Sequence, residues 1–267
     1  MRTIAQMMSL SGRVAAITGG AGHIGRAMAD ALAEQGSAVV LIDRHQDVLD
    51  AAVEALRQRW GLAAEGLLID LESETERASI ADKIAQRFGR LDVLINNAGF
   101  VGDSKLQGWV APFEEQSIET WRRALEVNIT AAFHLSQKLV PLLREHGTGS
   151  IVNVASIYGV VGPDHSIYKG IPMGNPAGYA VSKGGMVQMT RWLATTLAPR
   201  IRVNCISPGG VARNQPDLFA ERYIQRTPMG RMGSEEDFKG ALLYFASDLS
   251  AWVTGENLMV DGGWTAW

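Results

Sequence analysis

Val14-Ala15-Ala16-Ile17-Thr18-Gly19-Gly20-Ala21-Gly22-His23-Ile24-Gly25 is the stretch that decides the fold. A β-branched, apolar run ends in a glycine cluster and then enters residues 24–35, whose apolar spacing is helical and which Gly36 ends. Gly20, Gly22 and Gly25 satisfy G-x-G-x-x-G at this strand–turn–helix junction. Glycines there let the backbone turn sharply and approach a pyrophosphate, while the N–H groups that open the helix favour its negative charge. A glycine-rich chain produces such a match by chance, so position carries the weight. The next apolar run ends at Leu41-Ile42-Asp43, 18 residues after Gly25, where an acid accepts from both hydroxyls of an adenosine ribose. Asp43 repels a 2′-phosphate and so favours NAD over NADP, with Arg44 pulling the other way. Asp70 follows the third run and is placed to accept from the adenine amino group; its alternative reading is a helix-entry acid before Leu71-Glu72-Ser73.

The same rhythm continues outward. Strands are expected at 14–18, 38–42, 67–69, 92–95, 150–154, 201–206 and 258–260, several of them wholly apolar, as in a parallel sheet covered on both faces. Between them lie helical segments at 46–60 and 73–88, each ended by a glycine suited to a left-handed cap, and longer ones at 117–144 and 177–198. This predicts one doubly wound α/β domain over residues 1–267, with no linker or repeat dividing it. From Gly209 to Ser247 the strand rhythm stops, and a lid is expected near 212–234.

Composition excludes other classes. Glycine supplies 29 of 267 residues without a collagen period, so the surplus marks turns and close approaches. A net charge of −3 gives no field for nucleic acid or anionic membrane. No apolar stretch reaches 18 residues and the start has no signal-peptide core, so a soluble, cytoplasmic protein is expected. The lone Cys205 reads as a buried thiol in a reducing compartment, and the five histidines lack ligand spacing, so no metal is expected.

Tyr179-Ala180-Val181-Ser182-Lys183 places a phenol and an ammonium one helical turn apart. Alone, that pair reads as a solvated helix face; its context changes the reading. In order along nearly the whole chain come the glycine loop, Asn96-Asn97-Ala98-Gly99, Asn128 in Leu125-Glu126-Val127-Asn128, and Ser156 in Val152-Asn153-Val154-Ala155-Ser156. Tyr179 with Lys183, then Pro208-Gly209, then Asp261-Gly262-Gly263 complete the set. In these motifs the sequence resembles the short-chain dehydrogenase/reductase family.

That resemblance implies a Rossmann-type fold with a seven-stranded parallel sheet, a homotetramer or homodimer, and a catalytic set of Asn128, Ser156, Tyr179 and Lys183. Cofactor contacts are implied at Gly19, Gly22, His23, Ile24, Gly25, Asp43, Arg44, Asp70, Leu71, Asn97, Ala98, Gly99, Tyr179, Lys183, Pro208, Gly209 and Val211. A free tyrosine titrates near ~10, and Lys183 with the cationic nicotinamide ring would lower that value so that Tyr179 takes the alcohol proton. Ser156 would bind the substrate oxygen, and Asn128 would interrupt its helix and hold a water linking Lys183 to solvent.

Three departures from the family pattern stand out. His23 replaces a second helix-entry glycine. Arg213 stands where a threonine usually meets the nicotinamide carboxamide. Ser156 and Tyr179 are 23 residues apart where roughly a dozen is usual, which places an insertion near 160–176, with another near 102–110. Arg213, Asn214, Gln215, Arg222 and the polar residues of the longer insertion predict a rim of donors rather than an apolar tunnel, with Arg213 and Asn214 as substrate contacts. The expected substrate is a polar alcohol or ketone, sugar-like or a sugar acid. Met173-Gly174-Asn175-Pro176 and the aromatic C-terminus resemble family members of bacterial surface-sugar or flagellin-glycan biosynthesis. Trp264 and Trp267 are expected at a subunit interface. The competing readings are an NADPH-dependent 3-oxoacyl thioester reductase, disfavoured by Asp43, and a non-catalytic nicotinamide-binding regulator, disfavoured by the complete catalytic set.

Overall fold

Seven parallel strands pair in the order β3-β2-β1-β4-β5-β6-β7 in the computed structural model, which describes residues 1–101, 106–147 and 149–267. The strands are β1 (Val14–Thr18), β2 (Ala38–Asp43), β3 (Ala64–Leu68), β4 (Val93–Asn96), β5 (Gly149–Val154), β6 (Ile201–Pro208) and β7 (Asn257–Val260). All seven expected strands are present. β3 begins three residues earlier than the apolar run suggested, because Glu65 and Gly66 pair with Val40 and Leu41 at the sheet edge, where burial is partial.

Alternation along the inner strands explains why both faces are covered. Ala15, Ile17, Val39 and Leu41 pack beneath α2 (His23–Glu34), α3 (Gln46–Trp60) and α10 (Lys239–Ala246), whose Met28, Leu49 and Leu242 join them. Val14, Ala16, Val40 and Ile42 face the opposite layer, with Ile84 of α5 (Ile80–Phe88), Leu139 of α7 (Ala131–Glu145) and Leu193 of α8 (Ala177–Leu197). Side chains of a strand point to opposite faces in turn, so an unbroken apolar run fills two cores at once.

Three elements differ from expectation. The segment 73–88 is two helices, α4 (Glu74–Ala78) and α5, because Ser79 turns its hydroxyl back onto the Glu76 carbonyl. The segment 117–144 is interrupted: α6 (Ile118–Leu125) passes through a π-turn, Glu126–Thr130, before α7. A short α1 (Ile4–Met8), capped by Thr3, precedes the sheet. α9 (Asp217–Gln225) lies in the excursion after β6. Among the described residues no helix is long and apolar enough to cross a membrane.

The two insertions are anchored by aromatic side chains. Residues 102–105 of the first lie outside the described residues; beyond them Trp109 is buried, donates to the Val101 carbonyl and meets Phe100 edge-on. The second, 160–176, sits on a satellite core of Ile157, Ile167, Phe219, Tyr223 and Trp264. Trp264 stacks on Tyr223 at 5.8 Å and lies under the Arg226 guanidinium. The subunit-interface expectation therefore fails for Trp264, which is 4% exposed within its own chain, whereas Trp267 is exposed.

Candidate active site

Strand order reverses between β1 and β4, and in open α/β sheets ligands bind outside the carboxyl ends of the strands at that point. A cavity of about 990 Å³ opens there. Every residue assigned to the cofactor from the sequence lines it: Gly19, Gly22, His23, Ile24 and Gly25 from the loop, and Asp43 and Arg44 from the end of β2. Asp70 and Leu71 follow β3, Asn97, Ala98 and Gly99 follow β4, and Pro208, Gly209 and Val211 follow β6, with Tyr179 and Lys183 on α8.

The loop is built for close approach. Gly19 has φ +61°, and a Cβ on Gly25 would overlap the Gly19 carbonyl oxygen and come within 2.9 Å of Asn97 Nδ2. Asn97 uses its side chain structurally, donating to the carbonyls of Thr18 and Gly19, while the Thr18 hydroxyl accepts from the N–H groups of Asn97 and Ala98. Asp43 is held at the rim by the N–H groups of Ala21 and Arg44, which leaves carboxylate lone pairs for ribose hydroxyls. Asp70 lines the cavity and accepts from the Glu72 N–H, while the cap of α4 is Ser73. With α2 opening at Gly22, this cradle fits a dinucleotide.

The four residues of the expected catalytic set are carried by the π-turn, the end of β5 and α8. Lys183 is buried and donates to the Val154 carbonyl at 2.8 Å. Burial pulls its pKa down to about 8. Burial likewise pushes the Tyr179 phenol up, countered by its hydrogen bond to Ser156. The Lys183 ammonium is turned to the Val154 carbonyl and sits 5.9 Å from the Tyr179 ring centroid. Asn128, fully buried, accepts from the Phe100 N–H and donates to the Phe100 carbonyl and to Ser182 Oγ. Ser182 passes this on by donating to the Tyr179 carbonyl, so the π-turn, the Gly99–Phe100 loop and the first turn of α8 are tied together.

Because Lys183 titrates lower in the folded chain than its ordinary 10.5, the unfolded chain holds more protons between about pH 8 and 10.5, and this group's contribution to stability rises with pH across that window. Lys183→Met should therefore melt no lower than the parent at neutral pH, with the balance moving toward the parent above about pH 8. Melting curves of both proteins across that window check this; a variant equally destabilised at every pH would contradict it.

Sequence reasoning missed several lining residues. Arg123 faces the large cavity, clasped by both Glu72 carboxylate oxygens and lying over the Phe100 ring; its partners are distant in sequence and no motif marks it. A second chamber of about 230 Å³ adjoins the first and shares Ser156 and Tyr179 with it. Its walls include Tyr158, Tyr168, Phe219 and Tyr223. Of the polar residues expected at the rim, Tyr168, Asn175 and Gln215 line this chamber, while the charged ones do not. Arg222 donates to the carbonyls of Ser166, Ile167 and Lys169, and Arg226 pairs with Asp164, so these charges hold the insertion against α9. Arg213 lines the large cavity and pairs with Glu235, whose same oxygen lies 3.8 Å from His23. Asn214 is exposed and lines neither cavity; Gln215 lines both, folded back between the Val211 carbonyl and the Arg213 N–H. Cys205 is buried beneath α8 and burial pushes its thiol up to about 11, which makes it unreactive. Among the described residues no group of three His, Cys, Asp or Glu side chains is placed to hold a metal.

Comparison with known proteins bears on this geometry. A family model described as enoyl-(acyl carrier protein) reductase matches residues 19–265. The 3-oxoacyl-(acyl-carrier-protein) reductase FabG of Thermotoga maritima is 33% identical over 263 residues, 96% of this chain and 99% of that protein. The cis-4-hydroxycyclohexanecarboxylate dehydrogenase of Sinomonas cyclohexanicum is 36% identical over 259 residues, 95% of this chain and 97% of that protein. Among solved structures, a short chain dehydrogenase from Leptospira borgpetersenii with bound NAD+ superposes with a TM-score of 0.84 at 34% identity, covering 99% of this chain and 96% of that one. A gluconate 5-dehydrogenase from Burkholderia cenocepacia, in complex with NADP and tartrate, gives 0.86 at 28% identity, covering 99% and 100%. The chain belongs to the short-chain dehydrogenase/reductase family, as an oxidoreductase acting on CH–OH groups with a nicotinamide cofactor.

Proposed function

We propose that the protein is an NAD-dependent dehydrogenase that interconverts an alcohol and a ketone on a small, hydroxylated, sugar-like substrate. The observation that carries this reading is the placement of Ser156 and Tyr179 on the wall common to both chambers, so that a substrate in the smaller one reaches a cofactor in the larger. The glycine loop and the α2 N-terminus would hold the pyrophosphate, Asp43 the adenosine ribose, and Asn97 to Gly99 with Pro208 to Val211 the nicotinamide end. When bound, the nicotinamide supplies the hydride acceptor or donor.

The protein's own residues handle the proton. Ser156 donates to the reacting oxygen, and Tyr179 accepts the carbinol proton in oxidation or returns it in reduction. Lys183, held one turn along α8 by Val154, supplies positive charge that favours the phenolate once the site is filled. Asn128 fixes the π-turn through which Lys183 is proposed to reach solvent; such turns recur at functional sites. Residues 212–234, whose Phe219 and Tyr223 roof the smaller chamber, are proposed to act as its lid.

Asp43 supports NAD over NADP. Asp43→Asn should lower the ratio of kcat/KM for NAD over NADP at least tenfold, or about 1.4 kcal/mol, as measured by initial rates with each cofactor. An unchanged ratio would contradict the assignment. Likeness to the Thermotoga reductase keeps 3-oxoacyl thioester reduction as the second reading, and that reading requires preference for NADPH and turnover of an acetoacetyl thioester. Surface-sugar or flagellin-glycan biosynthesis is the proposed setting, since Met173, Gly174, Asn175 and Pro176, which carry that resemblance, line the smaller chamber. A cytoplasmic homodimer or homotetramer completes the proposal; exposed Phe133, Val181 and Trp192 on α7 and α8 supply apolar surface for assembly.

A further inference from the structure

We propose that the smaller chamber selects a neutral, ring-sized polyhydroxy alcohol through the phenols of Tyr158, Tyr168 and Tyr223 and the amide oxygen of Asn175. The inference rests on the dehydrogenase reading above and names the substrate class of that same site. Size comes first. A cavity of about 150 Å³ holds benzene, so about 230 Å³ accommodates a six-membered ring with several small substituents.

The polar inventory then narrows the chemistry. The hydroxyls of Tyr158 and Tyr168 lie 2.6 Å apart and share one hydrogen, which leaves one O–H of the pair to donate elsewhere. Tyr223 Oη accepts from the Gly210 N–H at 2.6 Å, so its own hydrogen is uncommitted too. Burial pushes all three phenols up, Tyr168 to about 12, and they remain neutral donors. Asn175 Oδ1 is buried with no protein partner and needs an incoming donor. These groups are additional to Ser156 and Tyr179, which take the reacting oxygen.

A ligand that satisfies the chamber must accept from a phenol and donate to an amide oxygen. A hydroxyl does both. A carboxylate or phosphate only accepts, so it leaves the Asn175 oxygen without a donor, and it meets no Lys, Arg or His among the described lining residues. A purely hydrocarbon ring would leave the same polar groups unsatisfied. Tyr168 and Asn175 both lie in the insertion between Ser156 and Tyr179, so the segment that departs from the family spacing is the one that reads the substrate.

The test compares myo-inositol, cis-1,2-cyclohexanediol, cyclohexanol and gluconate as substrates of the NAD-loaded enzyme. The neutral polyols should exceed both cyclohexanol and gluconate in kcat/KM by about tenfold or more, the fold-change that one well-made hydrogen bond confers. Tyr168→Phe should raise KM for the preferred polyol about tenfold, with the smaller effect on kcat. Asn175→Ala should raise the same KM yet melt no lower than the parent, since its oxygen has no partner to lose; a merely structural Asn175 would lower the melting temperature instead. Preference for gluconate, or an unmoved polyol KM in both variants, would overturn the proposal. Calorimetric binding of myo-inositol and cis-1,2-cyclohexanediol to Tyr179→Phe loaded with NAD separates the two levels. Binding there, with no turnover by the parent, would sink the dehydrogenase reading and keep the chamber; binding of neither would sink the chamber.

Discussion

Tyr179→Phe should lower kcat by about ten-thousandfold, the upper range for loss of a positioned acid–base group, while cofactor affinity stays at the parental value. The reason lies in what surrounds the phenol. Ser156 Oγ already accepts from the Tyr158 N–H and is itself too weak an acid to exchange a proton at neutral pH. Lys183 points its ammonium at the Val154 carbonyl. Tyr179 is thus the group at the junction of the two chambers able to take the carbinol proton. Phenylalanine keeps the ring that shapes both chambers, so the loss appears in turnover and not in folding or cofactor binding. Single-turnover rates beside fluorescence titration with NADH check both halves. A variant that retains more than about a tenth of parental kcat would place the proton elsewhere.

Gly25→Ala should weaken cofactor binding at least about a hundredfold, or about 2.7 kcal/mol. The added methyl overlaps the Gly19 carbonyl oxygen and crowds Asn97 Nδ2, which itself ties β4 to the loop through Thr18 and Gly19. Relief requires the loop to move away from α2, and the concave face that would take the pyrophosphate goes with it; overpacking of this kind costs about 1–3 kcal/mol before any ligand is considered. Gly61→Ala is the control: a Cβ there meets nothing within 4 Å and the residue lies outside both cavities, so any cost of its positive φ falls on folding and not on cofactor binding. Titration with NADH checks the pair. Parental affinity in Gly25→Ala would mean that the loop is not the cradle.

How much of this was legible follows from where the constraints are local. The unbroken apolar runs and the helix-stopping Gly61 and Gly89, both left-handed in the structure, report backbone needs at their own positions, and the sheet and most helices follow from them. The glycine loop and Asp43 were likewise readable, because a strand–turn–helix unit is contiguous. The π-turn was legible only through the family resemblance: Glu126 to Thr130 has ordinary helical composition, and the irregularity accompanies contacts of Asn128 with Phe100 and Ser182, distant in sequence. The polar rim was legible only in part, for the opposite reason. Tyr168 and Asn175 of the 160–176 insertion do line the smaller chamber, but Asp164 pairs with Arg226 and Arg222 is taken by three carbonyls. What remains to face a ligand is phenolic, and no spacing rule brings Tyr158, Tyr168 and Tyr223 together before the fold does.

The measurement that tests the central claim most directly is the initial rate of reduced-nicotinamide formation from NAD and from NADP, with myo-inositol or cis-1,2-cyclohexanediol, in the parent and in Tyr179→Phe. The predicted result is turnover of a neutral polyol that favours NAD and disappears with the phenol. Turnover that survives in Tyr179→Phe, or that runs only with NADP, would contradict the account.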